Sequence, residues 1–307
     1  MRLTGILLCL ASAAAFGAMG IFGKLAYEQG SNVATLLSTR FVVAALVLWL
    51  LLAVTGGAGR LRTLSRRDIF LALGLGAVGY GAQAGCYFAA LERMDASLLA
   101  LVLYTFPAMV AVAAIALGRD RASARTAIAL VLAGSGLALV LAGAAAGSLQ
   151  LGATALGLGA AIVYTVYILT SEGIASRADS LALAALVCTG AAVTLTAGGL
   201  ITGGLDPAAV TAPGWLWLTA LAVVSTVGAI ALFFAGLRRV GPTAAAILST
   251  LEPVVTVALA SVVFGESLGP VQLAGGALVL LAAVAVRVPD RMMELTTRTE
   301  VASEQAA

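Results

Sequence analysis

Apolar runs of about 20 residues follow one another along almost the whole chain, and no other feature limits the fold as strongly. An α-helix needs about 20 apolar residues to cross a hydrocarbon core of about 30 Å. We count ten such runs. They cover residues 4–26, 34–54, 69–90, 96–117, 126–143, 151–170, 181–201, 214–236, 243–264 and 269–286. The sequence therefore predicts an all-α membrane protein with ten transmembrane helices.

The composition leaves no room for a soluble domain beside these helices. Hydrophobic residues make up 62% of the chain and charged residues 10%, whereas charged residues are about a quarter of a soluble domain. The loops between the runs are short, so we expect no second domain. The first run is too long for the apolar core of a signal peptide, because it passes unbroken from Phe16 to Lys24.

The basic residues predict the orientation in the membrane, because cytoplasmic loops are rich in Lys and Arg. With a cytoplasmic N-terminus, the cytoplasmic segments hold 14 of the 17 basic residues. These are Arg2, Arg60, Arg62, Arg66, Arg67, Arg119, Arg121, Arg125, Arg177, Arg238, Arg239, Arg287, Arg291 and Arg298. We therefore expect a multi-pass protein of the cell membrane with both termini in the cytoplasm. Membrane lipids are its expected surroundings, and the net charge of +3 is a topology signal that predicts no nucleic-acid partner.

Two stretches of the chain resemble each other and indicate an internal repeat. Residues 90–107 read ALERMDASLLALVLYTFP, and residues 236–253 read GLRRVGPTAAAILSTLEP. The aligned stretches share a Leu, an Arg, an Ala and a Pro, and the two prolines are Pro107 and Pro253. Each proline lies about eleven residues into its run, and each run is followed by a glycine, Gly118 or Gly265.

The repeat predicts the organisation of the whole chain. Residues 1–143 form a first five-helix repeat, 144–150 a linker loop, 151–287 a second five-helix repeat, and 288–307 a cytoplasmic tail. Because five is an odd number, the second repeat enters the membrane from the opposite side and is inverted. Carriers built from inverted repeats bind substrate near the midplane, at interrupted helices between the repeats. We therefore expect a central cavity there.

Two segments resemble the EamA-type permeases of the drug/metabolite transporter superfamily. Residues 16–41 read FGAMGIFGKLAYEQGSNVATLLSTRF and are similar to that family's first helix and the arginine-bearing start of its second. Residues 251–284 read LEPVVTVALASVVFGESLGPVQLAGGALVLLAAV and are similar to its ninth and tenth helices. The resemblance covers essentially all ten helices. It implies a ten-helix inverted-repeat fold that exports or takes up small metabolites, often amino acids.

Only Arg40 and Glu252 are charged inside the predicted spans, away from their ends. A charge at such a depth costs on the order of 3 kcal/mol, so each needs a partner or a watery cavity. A functional interpretation is that Glu252 binds a substrate ammonium or a proton. A structural interpretation is that it satisfies groups freed by a helix kink at Pro253, whose counterpart is the kink at Pro107. Arg40 is a candidate charge partner if its helix is a neighbour.

Polar and aromatic side chains recur at helical spacing in two other runs and predict a binding-site lining. Tyr80, Gln83 and Tyr87 share one face, as do Tyr164 and Tyr167. Tyr104 near Pro107, and Ser249 and Thr250 beside Glu252, would complete a ring of hydroxyls suited to an amphipathic small-molecule substrate. The alternative is that each tyrosine bonds only to a neighbouring helix.

Other residues have structural interpretations beside functional ones. Lys24 is expected to pair with Glu28 at the outer end of the first helix, with a gate role as the alternative. Six glycines are expected to be close-packing positions; a homodimer through the fifth or tenth helix is the alternative. The glycines are Gly81, Gly85, Gly134, Gly136, Gly275 and Gly276.

The absent chemistry excludes several functions. The chain has no histidine, so Ser-His and His-metal catalysis are excluded, and the three cysteines match no metal spacing. No cofactor, metal or enzyme activity is expected. The leading hypothesis is a secondary carrier that moves small organic metabolites by alternating access, with export favoured by the resemblance. The alternatives are a channel-like passive facilitator and a non-transporting membrane sensor or enzyme.

Overall fold

A computed structural model describes residues 2–56, 59, 64–120, 123–145 and 150–287. In the described ranges the chain forms fifteen α-helices and two π-helices. They are α1 (Arg2–Gly17), α2 (Met19–Glu28), α3 (Val33–Val54), α4 (Arg66–Gly74), π1 (Leu75–Tyr80), α5 (Gly81–Leu91), α6 (Ala96–Leu103), α7 (Phe106–Ala116), α8 (Ala124–Ala145), α9 (Leu151–Ala175), α10 (Ser180–Ile201), α11 (Ala212–Ala222), π2 (Val223–Gly228), α12 (Ala229–Val240), α13 (Pro242–Leu248), α14 (Leu251–Phe264) and α15 (Pro270–Arg287).

These helices join into long apolar stretches. In the part of the chain that the structure describes, nine stretches are long and apolar enough to cross a membrane, and we number them segments 1 to 9. They are Leu3–Glu28, Val33–Val54, Arg66–Leu91, Ala96–Ala116, Thr126–Gly143, Leu151–Ala175, Ser180–Ile201, Ala212–Val240 and Ala244–Phe264. The shorter apolar helix Pro270–Ala285 follows and is called segment 10. The prediction of an all-helical multi-pass membrane protein is confirmed.

Most of these bounds follow the predicted runs closely. The largest differences are that segment 6 continues to Ala175 and segment 8 to Val240. Two predicted features lie largely or wholly outside the described residues, namely the linker, of which 146–149 are not described, and the tail 288–307. Five of the arginines used for the orientation also lie outside them: Arg60, Arg62, Arg121, Arg291 and Arg298.

Segments 4 and 9 are each broken near the middle. In segment 4 the helix stops at Leu103 and resumes at Phe106, and in segment 9 it stops at Leu248 and resumes at Leu251. At each break a threonine hydroxyl donates to the carbonyl three residues earlier, over 2.7 Å for Thr105 and 2.6 Å for Thr250. Hydroxyl groups that bond to the backbone in this way compete with the helical ladder.

Pro107 and Pro253, where the sequence analysis expected helix kinks, each lie in the first turn after a break. Pro107 is the second residue of α7, and Pro253 is the third residue of α14. A proline has no N–H to donate to the carbonyl four residues earlier, which is that of Leu103 or Ser249, and both of these residues lie at the breaks. In the first turn of a helix a proline is well tolerated, because the first N–H groups have no intrahelical acceptor.

Two π-helices of six residues each interrupt segments 3 and 8. Leu75–Tyr80 lies between α4 and α5, and Val223–Gly228 lies between α11 and α12. Such π-turns are rare, and they are frequent at functional sites. The sequence analysis did not predict either of them.

Contacts between segments follow one scheme in both halves of the chain. Segment 1 packs against segments 8 and 9, and segment 6 packs against segments 3 and 4. Segment 2 packs against segment 7, and segment 5 packs against segment 10. Each contact thus has a counterpart five segments further along the chain, or is its own counterpart.

The contact between segments 5 and 10 depends on facing glycines. A Cβ atom on Gly136 would lie 2.7 Å from the carbonyl oxygen of Gly275, and one on Gly275 would lie 2.6 Å from that of Gly136. Gly276 packs against the side chain of Leu101. The close-packing role is confirmed for these glycines, but it is wrong for Gly85 and Gly134, where an added Cβ would meet no atom within 4 Å.

Candidate functional site

Arg40, on α3, is 2% exposed and joins the two π-helices. Its Nε donates to the hydroxyl of Thr226 in π2 over 3.0 Å, and its Nη2 donates to the hydroxyl of Tyr80 in π1 over 3.2 Å. Both acceptors therefore lie in the irregular turns of segments 3 and 8. The two turns and one arginine form a single hydrogen-bonded unit.

Aromatic rings surround the guanidinium of Arg40. Its carbon lies 5.0 Å from the ring centroid of Phe41, 5.3 Å from that of Phe88 and 5.8 Å from that of Tyr80. Cations are attracted to aromatic faces at such distances, and the attraction is larger when both groups are removed from water. The rings stabilise a charge that would otherwise be costly at this depth.

A row of aromatic rings leads from this arginine to the break in segment 4. Tyr80 stacks on Tyr167 with centroids 5.7 Å apart, and Tyr167 stacks on Tyr164 at 6.2 Å. Tyr164 contacts Phe106 at 4.6 Å, and Phe106 contacts Tyr104 at 5.6 Å. We call these five rings the aromatic row. It brings together four of the five tyrosines that the sequence predicted for the lining.

The row ends where segments 4 and 9 meet at their breaks. The hydroxyl of Tyr104 donates to the carbonyl oxygen of Ser249 over 2.5 Å, and the backbone N–H of Glu252 donates to the same oxygen over 3.1 Å. In a continuous helix that oxygen would accept from residue 253, which is a proline and has no N–H. Tyr104 and the Glu252 backbone therefore supply the donors that this carbonyl oxygen cannot receive from Pro253.

Glu252 lies in the first turn of α14. A carboxylate is stabilised there by the positive end of the helix dipole. Its charge acts on the hydroxyls of both Tyr80 and Tyr87, and so does the charge of Arg40. The sequence analysis considered Arg40 as a charge partner of Glu252, but the hydrogen bonds of Arg40 go to Thr226 and Tyr80.

The remaining predicted site residues are placed as follows. Gln83 is 7% exposed and Tyr87 is 4% exposed, both on α5. The hydroxyls of Ser249 and Thr250 donate to backbone carbonyls of their own helix turn, Ala245 at 2.9 Å and Ile247 at 2.6 Å. These two hydroxyls therefore help to shape the break.

Lys24 binds a different partner from the expected one. Its Nζ lies 2.6 Å from a carboxylate oxygen of Glu266 and 3.8 Å from one of Asp95, so the pairing predicted with Glu28 is wrong. Glu266 also accepts the backbone N–H of Ala96 at 3.0 Å and of Ser97 at 2.9 Å, which are the first residues of α6. Burial raises the pKa of the Glu266 carboxyl, but the hydrogen bonds from Lys24 and from these amides outweigh burial, and the pKa lies below its usual range.

Sequence reasoning missed Glu266 and Thr226 as polar members of these clusters. Glu266 stands at the end of a run, where a carboxylate usually meets water, and only the Gly-Glu of the family resemblance marked it. Thr226 carried no signal, because threonine is common in apolar helices. Within the described ranges, no three acidic or cysteine residues are grouped so that they could hold a metal ion.

Comparisons with known proteins indicate a membrane transporter. An uncharacterized transporter of Bacillus subtilis (strain 168), YcbK, is 25% identical over 281 residues, which is 88% of this chain and 88% of that protein. A solved crystal structure of another protein superposes on this chain with a TM-score of 0.62 and 16% sequence identity. The superposition covers 93% of this chain and 98% of that chain. That likeness supports the fold alone.

A family model matches the chain twice. The model is that of the EamA-like transporter family, and the matches cover residues 3–142 and 151–288. Together they leave only the linker and the ends of the chain unmatched. The chain therefore belongs to the EamA-like transporter family.

Proposed function

We propose that this protein is a secondary transporter that moves small zwitterionic metabolites, amino acids in the first place, by alternating access. The observation that carries the proposal is that Arg40 is buried at one end of the aromatic row, where it donates to Tyr80, while Glu252 follows the helix break at the other end, where Tyr104 donates to Ser249. A charge inside a membrane segment is costly and usually functional. Two opposite charges at the two ends of one row of rings are complementary to a solute that carries both a carboxylate and an ammonium.

The carboxylate of such a solute binds Arg40. A guanidinium has five N–H donors, and among the described residues Arg40 donates two hydrogen bonds, to Thr226 and Tyr80. Donors remain for a carboxylate, which arginine binds with two parallel hydrogen bonds. The ammonium binds Glu252, and the aromatic row offers ring faces to an apolar or aromatic side chain.

Two inverted five-helix repeats, ten helices in all, supply the mechanics. Four observations support the repeats: the breaks in segments 4 and 9, the π-helices in segments 3 and 8, the matching contacts between segments, and the double match of the family model. Breaks at corresponding places allow each half to rock about the site between them. The basic residues predict that both termini are cytoplasmic. The family resemblance favours export as the direction of transport.

Counterflow in proteoliposomes tests this function. Vesicles are loaded with unlabelled L-phenylalanine, and uptake of a trace of labelled L-phenylalanine is followed after dilution. A carrier that brings unlabelled phenylalanine out returns with labelled phenylalanine on each cycle, so the label accumulates transiently inside the vesicles. The initial rate of this uptake saturates with the phenylalanine concentration. A thermal-shift screen of the twenty amino acids selects a better probe where one stabilises the protein more, since a bound ligand stabilises by mass action.

Two analogues of the probe are the matched controls for substrate class. Phenethylamine lacks the carboxylate, and phenylpropionate lacks the ammonium. Each is expected to compete at least about tenfold more weakly than phenylalanine, which corresponds to about 1.4 kcal/mol for the lost charge contact. Equal competition by either analogue would contradict the zwitterion site. Non-saturating flux without counterflow would favour a channel-like passive facilitator instead.

A further inference from the structure

Two ion pairs hold opposite ends of segment 4. The first is Lys24 with Glu266, whose carboxylate also caps the start of α6. The second is Arg119 with Glu172, in which Nη1 of Arg119 lies 3.3 Å from Oε2 of Glu172. Arg119 follows the end of segment 4. Segment 4 has 21 residues, which is about 32 Å at 1.5 Å per residue. The two pairs therefore lie near opposite faces of the membrane.

The two pairs occupy corresponding places in the two halves of the chain, with the charges exchanged. Lys24 comes 21 residues after Leu3 (24 − 3), and Glu172 comes 21 residues after Leu151 (172 − 151), where segments 1 and 6 begin. Arg119 directly follows Gly118, and Glu266 directly follows Gly265. Both glycines have φ of +67°, so segments 4 and 9 end in the same left-handed turn.

The pairs differ in how tightly they are closed. The side chains of Lys24 and Glu266 are 22% and 6% exposed, and Phe264 lies 5.3 Å from the ammonium. The side chains of Arg119 and Glu172 are 48% and 71% exposed. A pocket of about 620 Å³ opens beside Arg119 and Glu172, compared with about 300 Å³ beside Lys24. The Lys24 pair is thus the more buried and more tightly packed of the two, and the Arg119 pair lies beside the wider pocket.

We propose that Lys24, Glu266, Arg119 and Glu172 are the gating residues of the transport cycle, and that the two pairs close in alternation. The proposal rests on the proposed alternating access. When Lys24 and Glu266 separate, α6 loses the carboxylate that caps it and moves away from the end of segment 9. The Arg119–Glu172 pair then tightens and becomes buried at the opposite face. The breaks in segments 4 and 9 allow the two ends of each segment to move separately.

Cysteine labelling at both pockets tests this proposal directly. Thr154 lines the pocket at Lys24 and is 6% exposed, and Thr170 lines the pocket at Arg119 and is exposed. Thr154→Cys and Thr170→Cys are conservative reporters. The purified protein in lipid nanodiscs, with both faces accessible, is treated with a water-soluble maleimide. Peptide mass spectrometry then gives the labelling rate of each reporter separately from those of Cys9, Cys86 and Cys188.

The two pairs predict opposite results. Lys24→Gln is expected to raise labelling at position 154 about tenfold and to lower labelling at position 170. Arg119→Gln is expected to do the reverse. The exposed Arg119 pair contributes little to stability, because water and salt weaken the attraction between exposed charges. The Arg119→Gln variant therefore remains informative even where Lys24→Gln lowers the yield of folded protein.

An arginine that donates to its own helix is the matched control. Arg239 donates to the carbonyl of Ala235, four residues earlier, over 2.6 Å. Arg239→Gln is expected to leave both labelling rates unchanged.

The outcomes separate the gates from the transport function. Labelling that is unchanged in Lys24→Gln and Arg119→Gln, or that shifts in the same direction in both, would overturn the gating role. Intact counterflow with unchanged labelling would overturn the gates alone. Opposite labelling shifts support the gates whether or not phenylalanine is carried, because the reporters need no substrate.

Discussion

Two substitutions at one helix break distinguish a structural from a functional carboxylate. Tyr104→Phe removes the hydroxyl that donates to the carbonyl oxygen of Ser249, and Glu252→Gln removes a charge but keeps the backbone N–H that donates to the same oxygen. If the carboxylate of Glu252 stabilised the helix break, Glu252→Gln would lower the stability more than Tyr104→Phe. The hydrogen bonds to the Ser249 oxygen predict that Tyr104→Phe lowers the stability more.

The expected magnitudes follow from the contacts at the break. Tyr104→Phe leaves the Ser249 oxygen with one donor instead of two, which is expected to cost about 1 kcal/mol, the usual net value of one hydrogen bond. For a chain of this size that is about 2 to 4 °C in Tm. Glu252→Gln loses the interaction with the dipole of α14, about 0.3 to 1 kcal/mol, and removes a charge that is costly at this depth. Glutamine also keeps the shape of the side chain and its ability to accept a hydrogen bond. Tm should therefore change by less than in Tyr104→Phe.

Transport should show the reverse order. Because Glu252 is proposed to bind the substrate ammonium, Glu252→Gln is expected to raise KM for phenylalanine at least about tenfold, and Tyr104→Phe is expected to change it little. Tm is measured by thermal unfolding of the purified protein, and KM by counterflow in proteoliposomes. A Glu252→Gln protein with a lower Tm than Tyr104→Phe and an unchanged KM would refute this reasoning and restore the structural interpretation.

Three further predictions concern other contacts. Arg40→Lys keeps the charge but replaces a forked donor by a point charge, so KM for phenylalanine in counterflow should rise about tenfold. Gly275→Ala places a Cβ 2.6 Å from the Gly136 carbonyl oxygen, and its Tm should fall by an amount equivalent to about 1 to 3 kcal/mol. The pKa of the Glu266 carboxyl is lowered, and its partner Lys24 also faces Asp95. The ion pair of Lys24 with Glu266 is therefore fully formed above the ordinary carboxyl pKa, and it is lost as pH falls through the lowered pKa of Glu266. A spin label at position 154 should therefore gain accessibility to a water-soluble relaxation agent only below about pH 4, and opening between pH 5 and 8 would contradict this assignment.

The sequence was sufficient for the features that depend on local composition. A run of about 20 apolar residues has few alternatives to a membrane-crossing helix, and the observed segments follow the predicted runs. The tyrosines of segments 3 and 6 share helix faces by spacing alone. Their assembly with Tyr104 into one aromatic row was predicted as a ring of neighbours, although the order of contacts was not.

Features that depend on distant partners were beyond sequence reasoning. Lys24 and Glu266 are 242 positions apart, and Tyr104 and Ser249 are 145 positions apart. The local rule that charges four apart on a helix form a pair favoured Glu28, and tertiary packing overrode it. The π-helices were missed because a wider helical turn has no compositional signal that distinguishes it from an α-helix.

The distribution of polar groups between the two halves separates the mechanics from the chemistry. Breaks and π-helices occur once in each half, and each end-of-segment ion pair joins the two halves, which fits the proposed alternating access. Arg40 and Glu252 have no such counterparts: segment 7 has no charged residue, and Phe106 is aligned with Glu252. A symmetric lining of charges would present the same sign twice, which suits only one end of a zwitterion. In the proposed transport of zwitterions, one basic and one acidic group, each in only one half, would give the solute a single orientation between the two halves.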